Sequence, residues 1–151
     1  MYKKLVLIAL ASSFFVGCAV VPYEQLKLDT TTSFRLPSPN KSGIYVYQWK
    51  SGMYGAGWDV DFEIKGQPKM SLNTGEYGYF EVLPGEYEYK WMGGILGKHY
   101  LPVKFEANQN YFFHAYLMNA ANRANLIREQ HKIDEAKQNI LSGRYEVHDA
   151  D

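Results

Sequence analysis

Histidine and carboxylate side chains are the groups in this sequence that could bind a metal ion or transfer a proton. The four histidines are scattered, without the His-x-His or His-x-x-x-His spacing that gathers zinc ligands, at His99, His114, His131 and His148. His114 is the one titratable residue inside the apolar run 112–116, and we interpret it as a core or edge histidine rather than a catalytic base. No Gly-x-Ser-x-Gly motif marks a nucleophile. The sequence therefore predicts no catalytic residue, no metal site and no cofactor.

A glycine-rich segment at 93–99 has the outline of a phosphate-binding loop. Such a loop needs a first glycine, four residues and then Gly-Lys-Ser/Thr, because backbone amides and the hydroxyl together hold the phosphate and its magnesium. Met92 stands where the first glycine belongs, and His99 stands where the hydroxyl residue belongs. We interpret the segment as a flexible loop between strands.

Cys18 is the only cysteine, so an internal disulfide is excluded. A basic start with Lys3 and Lys4, an apolar run over 5–16 and the small residue Gly17 precede it. These three zones are typical of a secretory signal peptide. The apolar run is shorter than the roughly 20 residues that span a bilayer, which disfavours a permanent transmembrane anchor.

The residues Phe15-Val16-Gly17-Cys18 resemble the lipobox of bacterial lipoproteins, which usually has leucine where Phe15 stands. The resemblance implies lipid on the Cys18 sulfur, cleavage after Gly17 and acylation of the new amino group. Several acyl chains together make a stable membrane anchor. In the enterobacterial sorting pattern, aspartate after the cysteine retains a lipoprotein at the inner membrane. Ala19 implies the outer membrane, facing the periplasm, in a Gram-negative host.

Length and charge constrain the chain beyond the leader. Of 151 residues, 134 remain from Cys18 onward, which suits a single domain. Without Lys3 and Lys4, 14 Lys and Arg face 16 Asp and Glu, whereas a nucleic-acid surface needs a strong basic excess. We therefore predict no nucleic-acid partner.

Aromatic residues make up 16% of the chain, including 13 tyrosines, and this enrichment favours sheet over helix. Apolar or alternating runs predict strands at 44–49, 58–65, 77–82, 86–91, 101–106 and 111–118. The run 44–49 is apolar at nearly every position, which indicates a strand buried on both faces. We interpret the tyrosines as core residues with hydroxyls at the core margin, in preference to a tyrosine-rich binding face.

The clearest alternation runs along 58–65, where one face carries Trp58, Val60, Phe62 and Ile64 and the other carries Asp59, Asp61, Glu63 and Lys65. Three acidic residues on one face could offer oxygen ligands to calcium. However, alternate residues of a strand are roughly 6.6 Å apart, which is too far for a compact ligand set. A solvated outer face is the better interpretation.

The last third of the chain becomes rich in Ala, Asn, Arg and Gln. Residues 125–129 could form a last strand, or a helix could begin near Ala120, and the pattern leaves both open. An amphipathic helix is predicted before the glycine cap Gly143, from the helical spacing of Ile133, Ala136, Ile140 and Leu141.

Several of these segments together resemble a known family. They are Ile44-Tyr45-Val46-Tyr47, the alternating strand that ends at Gly66, the turn Leu83-Pro84-Gly85-Glu86-Tyr87, and Asn110-Tyr111-Phe112 followed by a polar strand and a helix. The chain resembles, over about 42–141, the bacterial lipoprotein family catalogued as domain of unknown function 2846. The resemblance implies an all-β sandwich with no assigned activity.

The predicted fold is an all-β, antiparallel β-sandwich of about seven strands with a short C-terminal amphipathic helix. Its organisation is a signal peptide at 1–17, a lipidated tether at 18–41 where prolines exclude helix, the sandwich with its helix at 42–141, and a polar tail at 142–151.

The aromatic residues near two loops are candidate contacts: Tyr54, Trp58, Trp91 and Met92. The strand alternation favours Trp58 and Trp91 facing the core instead. We expect a non-enzymatic module, attached to a membrane through Cys18, that binds or braces an envelope protein. The alternative is a lipoprotein that binds a small ligand or glycan through the loop aromatics.

Overall fold

Alternating and fully apolar runs fold into strands, and one amphipathic segment folds into a helix. The structure is a computed structural model, and it describes residues 34–48, 59–92, 99–118, 121–141 and 146–147. Within these ranges the elements are β1 (Ser42–Gln48), β2 (Val60–Ile64), β3 (Met70–Leu72), β4 (Glu76–Val82), β5 (Gly85–Met92), β6 (Leu101–Phe105), β7 (Asn110–Met118), β8 (Ala121–Ile127), α1 (Gln130–Asn139) and β9 (Glu146–Val147).

The strands form two sheets that pack face to face. One sheet has five strands in the order β8-β7-β1-β4-β9, and the other has four in the order β3-β2-β5-β6. Most neighbours are antiparallel, but β1 runs parallel to β7, from Gly43 opposite Asn110 to Gln48 opposite Ala115. Strands β4 and β9 are parallel as well. The predicted β-sandwich is confirmed, with nine strands in the described residues instead of about seven, and with these two parallel pairs.

The main apolar core lies between the two sheets. The residues that alternate inward along β2 are buried, as predicted: Val60, Phe62 and Ile64. Phe113 reaches them from the opposite sheet, with its ring centroid 4.8 Å from that of Phe62 and 5.0 Å from that of Tyr89. Aromatic rings from both sheets therefore interlock at the centre of the sandwich.

A second apolar layer covers the outer face of the five-stranded sheet, and for this reason every residue of β1 is buried, as predicted. Aromatic rings of β1, β4 and β7 lie on this face, and α1 packs against them through Ala136, together with Ile140 directly after its last residue. Tyr79 is 1% exposed and its hydroxyl donates a hydrogen bond to Glu81 at 3.1 Å. The interpretation of the tyrosines as core residues is confirmed for Tyr79 and for the other buried tyrosines of this layer, Tyr45, Tyr47 and Tyr77.

Residues 34–41 lie on the same outer face, within the range predicted as tether. Phe34 packs edge-on against Tyr45 and Phe112, with ring centroids 5.2 and 5.6 Å apart. The backbone amide of Ser38 donates to Glu81 at 2.9 Å. The packed domain thus extends further toward the N-terminus than residue 42.

Residues in the left-handed region form turns between the strands: Gly66 with φ 82°, Gly75 with φ 85° and Asn108 with φ 62°. Glycine adopts this conformation without steric cost, and asparagine tolerates it. Strand β3 lies between the two glycines and has only three residues, which is too short to show an alternating pattern.

The sequence leaves open whether a strand or a helix follows Ala120. The structure has a strand there, β8, and the helix begins only after it. Helix α1 follows it, and Ala136 and Ile140 are buried as the helical spacing predicts. Leu141 does not join them, since it is 50% exposed. The predicted cap Gly143 lies outside the described residues.

Candidate functional site

A cavity of about 450 Å³ lies between helix α1 and the outer face of the five-stranded sheet, and we call it the α1 groove. Tyr47 of β1 and His114 of β7 form its wall on the sheet side, and Ile127 closes it at the end of β8. Helix α1 contributes Lys132 and Glu135 to the opposite wall. Pockets for small ligands commonly have volumes of roughly 300–1,000 Å³. The α1 groove is therefore large enough for a small ligand or for a side chain of a partner.

His114 reaches the α1 groove because the parallel pairing places it directly opposite Tyr47. The two rings stack with centroids 4.6 Å apart and an angle of 5° between their planes. Burial lowers the pKa of His114 to about 4, so its imidazole is neutral at neutral pH. A neutral imidazole has one N–H donor and one acceptor nitrogen, so it can form hydrogen bonds of both kinds. A general base works best with a pKa near the operating pH, and the lowered pKa of His114 does not meet that condition. The groove is suited to orient a polar group.

Charges of both signs surround the α1 groove. Lys132 and Glu129 form an ion pair at 2.7 Å, and Glu135 adds a second carboxylate. Arg128, exposed at the end of β8, lines both this groove and a shallower depression of about 720 Å³ along β5 and β6. The mixed signs favour a ligand or partner that is itself polar and not strongly charged.

The outer face of the four-stranded sheet carries paired charges. Asp61 contacts Lys69 at 2.8 Å, and Glu63 contacts Lys90 at 3.0 Å. The Tyr100 hydroxyl donates to Glu63 at 2.6 Å. This hydrogen bond, together with Lys90, lowers the pKa of the Glu63 carboxyl. Because lysines neutralise these carboxylates, the interpretation as a solvated face is preferred over a calcium site.

The described part of the chain contains neither a cluster of metal ligands nor a membrane-spanning helix. No group of three or more His, Cys, Asp or Glu side chains there is arranged to hold a metal ion. No helix in the same residues has both the length and the apolar character that crossing a bilayer requires.

Most of the residues predicted to carry lipid or to form contacts lie outside the described ranges. These are the lipidation residue and the lipobox, Cys18 with Phe15, Val16 and Gly17, and the loop residues Tyr54 and Trp58. Trp91 and Met92 end strand β5, and their side chains are not among those described. The pairing register places Met92 opposite Asp61, so the start of β2 and the end of β5 lie at the same end of the sheet.

Two features on the outer face of the five-stranded sheet were not predicted from the sequence pattern. The α1 groove combines three strands with a helix, and nothing in the periodicity of any one segment indicates that they meet. Glu81 is 6% exposed and holds residues 34–41 through Ser38. The sequence does mark Glu81 as unusual, because it is the one acidic residue inside the otherwise apolar run 77–82.

Comparison with known proteins identifies a family. No curated protein matches the chain. The model of a family described as "Protein of unknown function (DUF2846)" matches residues 38–126, which is more than half of the chain. The match begins at Ser38, on the segment held by Glu81, and runs through strands β1 to β7 and most of β8. It confirms the resemblance found in the sequence, and the chain belongs to the DUF2846 family.

Proposed function

We propose that this protein is an exported lipoprotein, held to a membrane by lipid on Cys18, whose β-sandwich binds another component of the cell envelope without catalysing a reaction. The observation that carries the proposal is the position of the only cysteine, directly after a leader with a basic start and a short apolar run. Ala19 favours the outer membrane, facing the periplasm, in a Gram-negative host.

The α1 groove supports the binding part of this proposal. It joins a neutral histidine and a tyrosine ring to charged residues of both signs, which suits recognition of a polar surface. Only 15 residues lie between Cys18 and Phe34, and an extended chain over these 16 Cα–Cα steps reaches about 55 Å at most. A partner would accordingly lie close to the membrane that holds the anchor.

Replacing Cys18 with alanine is expected to abolish incorporation of labelled palmitate, because the thioether forms on the cysteine sulfur. Cells that express the wild-type chain and the variant are fed radiolabelled palmitate, and the immunoprecipitated protein is counted. Label is the readout instead of fractionation, since an uncleaved leader could still hold the variant on the membrane.

Ser13→Ala is the matched control, because it changes the same leader and leaves Cys18 in place. It should label like the wild-type chain. Label that persists in Cys18→Ala, or that is missing from the wild-type chain, would contradict lipidation at this residue.

A photoreactive amino acid at position 135, on the rim of the α1 groove, is expected to form adducts with an envelope protein in intact cells. The same residue at position 86, an exposed position on the four-stranded sheet, is the control. Adducts at both positions in equal yield would argue against a specific surface.

The second candidate function is binding of a small ligand or a glycan, and the volume of the α1 groove favours it. If position 135 gives no protein adduct, and envelope glycan fragments bind saturably to the purified protein, this candidate replaces the first. His114→Phe should then weaken glycan binding if the glycan occupies the α1 groove. Trp58→Ala should weaken glycan binding if the loop aromatics contact the glycan.

A further inference from the structure

Residues 34–41 cross the outer face of the five-stranded sheet as a strap. Phe34 sits at one end, against Tyr45 of β1 and Phe112 of β7, with Lys137 of α1 5.8 Å above its ring. Ser38 sits further along, at Glu81 of β4. The strap thus spans three neighbouring strands before the chain turns into β1.

The Glu81 carboxylate holds the strap. One oxygen, Oε1, accepts hydrogen bonds from the Ser38 amide at 2.9 Å, the Ser38 hydroxyl at 3.1 Å and the Tyr79 hydroxyl at 3.1 Å. The other oxygen faces the Lys41 ammonium at 3.5 Å. Hydrogen bonds to a charged acceptor are roughly twice as strong as neutral ones. Much of the attachment therefore depends on the negative charge of this one group.

The strap also has polar contacts next to Phe34. The backbone carbonyl of Arg35 accepts hydrogen bonds from the Tyr45 hydroxyl at 3.3 Å and from the side-chain Nδ2 of Asn110 at 2.8 Å. The next side chain, Leu36, is 77% exposed. The core between the two sheets, as far as the described residues form it, contains no residue of the strap. Lifting the strap would leave that core closed.

We propose that residues 34–41 are a releasable strap, kept shut by the buried Glu81 carboxylate, whose release lengthens the free chain between Cys18 and the β-sandwich. The gain in length rests on the proposed lipid anchor at Cys18, whereas release itself does not. Freeing these eight residues adds about 27 Å of reach to the roughly 55 Å already available. The strap then sets how far from its membrane the domain can bind.

Protonation of Glu81 is the release step. Burial alone would raise the pKa of this carboxyl, but the hydrogen bonds from Ser38 and Tyr79 and the charge of Lys41 outweigh burial and hold the pKa below its usual value. Arg35 adds a positive charge near Tyr79. A carboxylate whose pKa is lowered by folding stabilises the closed strap above its ordinary pKa, and this contribution is lost as the pH falls through the lowered value.

Hydrogen exchange of the full chain tests the proposal. In Glu81→Gln at neutral pH, the hydrogen-bonded amides of Ser38, Asn40 and Lys41 are expected to lose at least about tenfold in protection, because the side chain keeps its shape and loses its charge. Wild-type protein should show the same loss on acidification, after correction for intrinsic exchange rates. Amides of β2 and β5 should keep their protection. Glu86→Gln, which neutralises an exposed carboxylate on the other sheet, is the control and should leave the strap unchanged.

Unchanged protection of the strap in Glu81→Gln would overturn the proposal. Loss of protection in β2 and β5 together with the strap would also overturn it, since the strap would then open only with the whole domain. The measurement is repeated in Cys18→Ala, where the strap should exchange as in the wild type. A wild-type chain without lipid would remove the anchor and the argument about reach, and would leave the exchange result standing.

Discussion

Replacing Phe113 with alanine is expected to lower the free energy of unfolding by about 3–5 kcal/mol. Phe113 is fully buried, and its ring lies 4.8 Å from Phe62, 5.0 Å from Tyr89 and 6.3 Å from Phe105, measured between centroids. All three partners belong to the opposite sheet. Removing the ring leaves a cavity that the five-stranded sheet cannot fill alone, because its own backbone is fixed by neighbours on both sides of β7.

Urea denaturation followed by tryptophan fluorescence or circular dichroism measures this loss. Domains typically have only about 5–15 kcal/mol of stability, so the variant should have a much lower midpoint. Leu101→Ala is the control: it also shortens an apolar side chain, but Leu101 is 49% exposed, and about 0.5 kcal/mol or less is expected. Equal costs for the two variants would show that Phe113 does not join the sheets as described.

The second large effect is expected from Gly43→Ala, which should cost about 3 kcal/mol. A Cβ at this position of β1 would lie 2.8 Å from the ring and the hydroxyl of Tyr79 and would collide with Oδ1 of Asn110. Neither neighbour can move cheaply, because Tyr79 is 1% exposed and bonded to Glu81, and the Asn110 amide donates to Arg35.

Gly78→Ala on the neighbouring strand β4 is a matched control for Gly43→Ala. Its Cβ would meet Sδ of Met70 at 2.5 Å and Cε at 2.6 Å, and a methionine side chain has enough rotatable bonds to move away. Both substitutions remove similar backbone freedom from the unfolded chain, so that effect cancels in the comparison. We expect about 1 kcal/mol or less for Gly78→Ala from urea unfolding, and similar costs at both positions would contradict the packing around Gly43.

The sequence predicted the parts of the fold that local pattern controls. The alternation along β2 placed Val60, Phe62 and Ile64 in the core, and the apolar run of β1 indicated burial on both faces. These features depend on neighbours within a few residues, and a single chain carries that information directly.

Features that depend on distant pairing could not be predicted in this way. A period of two tells which face of a strand is buried but not which strand lies beside it, so the parallel pairing of β1 with β7 left no local trace. The strap was hidden for a related reason, because Pro37 and Pro39 indicate extended chain and give no hint of what that chain contacts. His114 was recognised as unusual, whereas the groove around it required β8 and α1 to be placed.

The parallel pairing at the centre of the larger sheet also affects the order in which the domain can fold. Gly43 of β1 pairs with Asn110 of β7, and Gln48 pairs with Ala115, so the partners are 67 residues apart in the chain. During synthesis the N-terminal part of the chain is made first. The edge of β1 that pairs with β7 therefore remains unpaired until residue 115 has been made. Contacts over such separations form slowly, because the intervening loop must first be ordered. Until then the aromatic strand 44–47 is exposed to other chains along this edge, and its protection during synthesis depends on the pairing with β4.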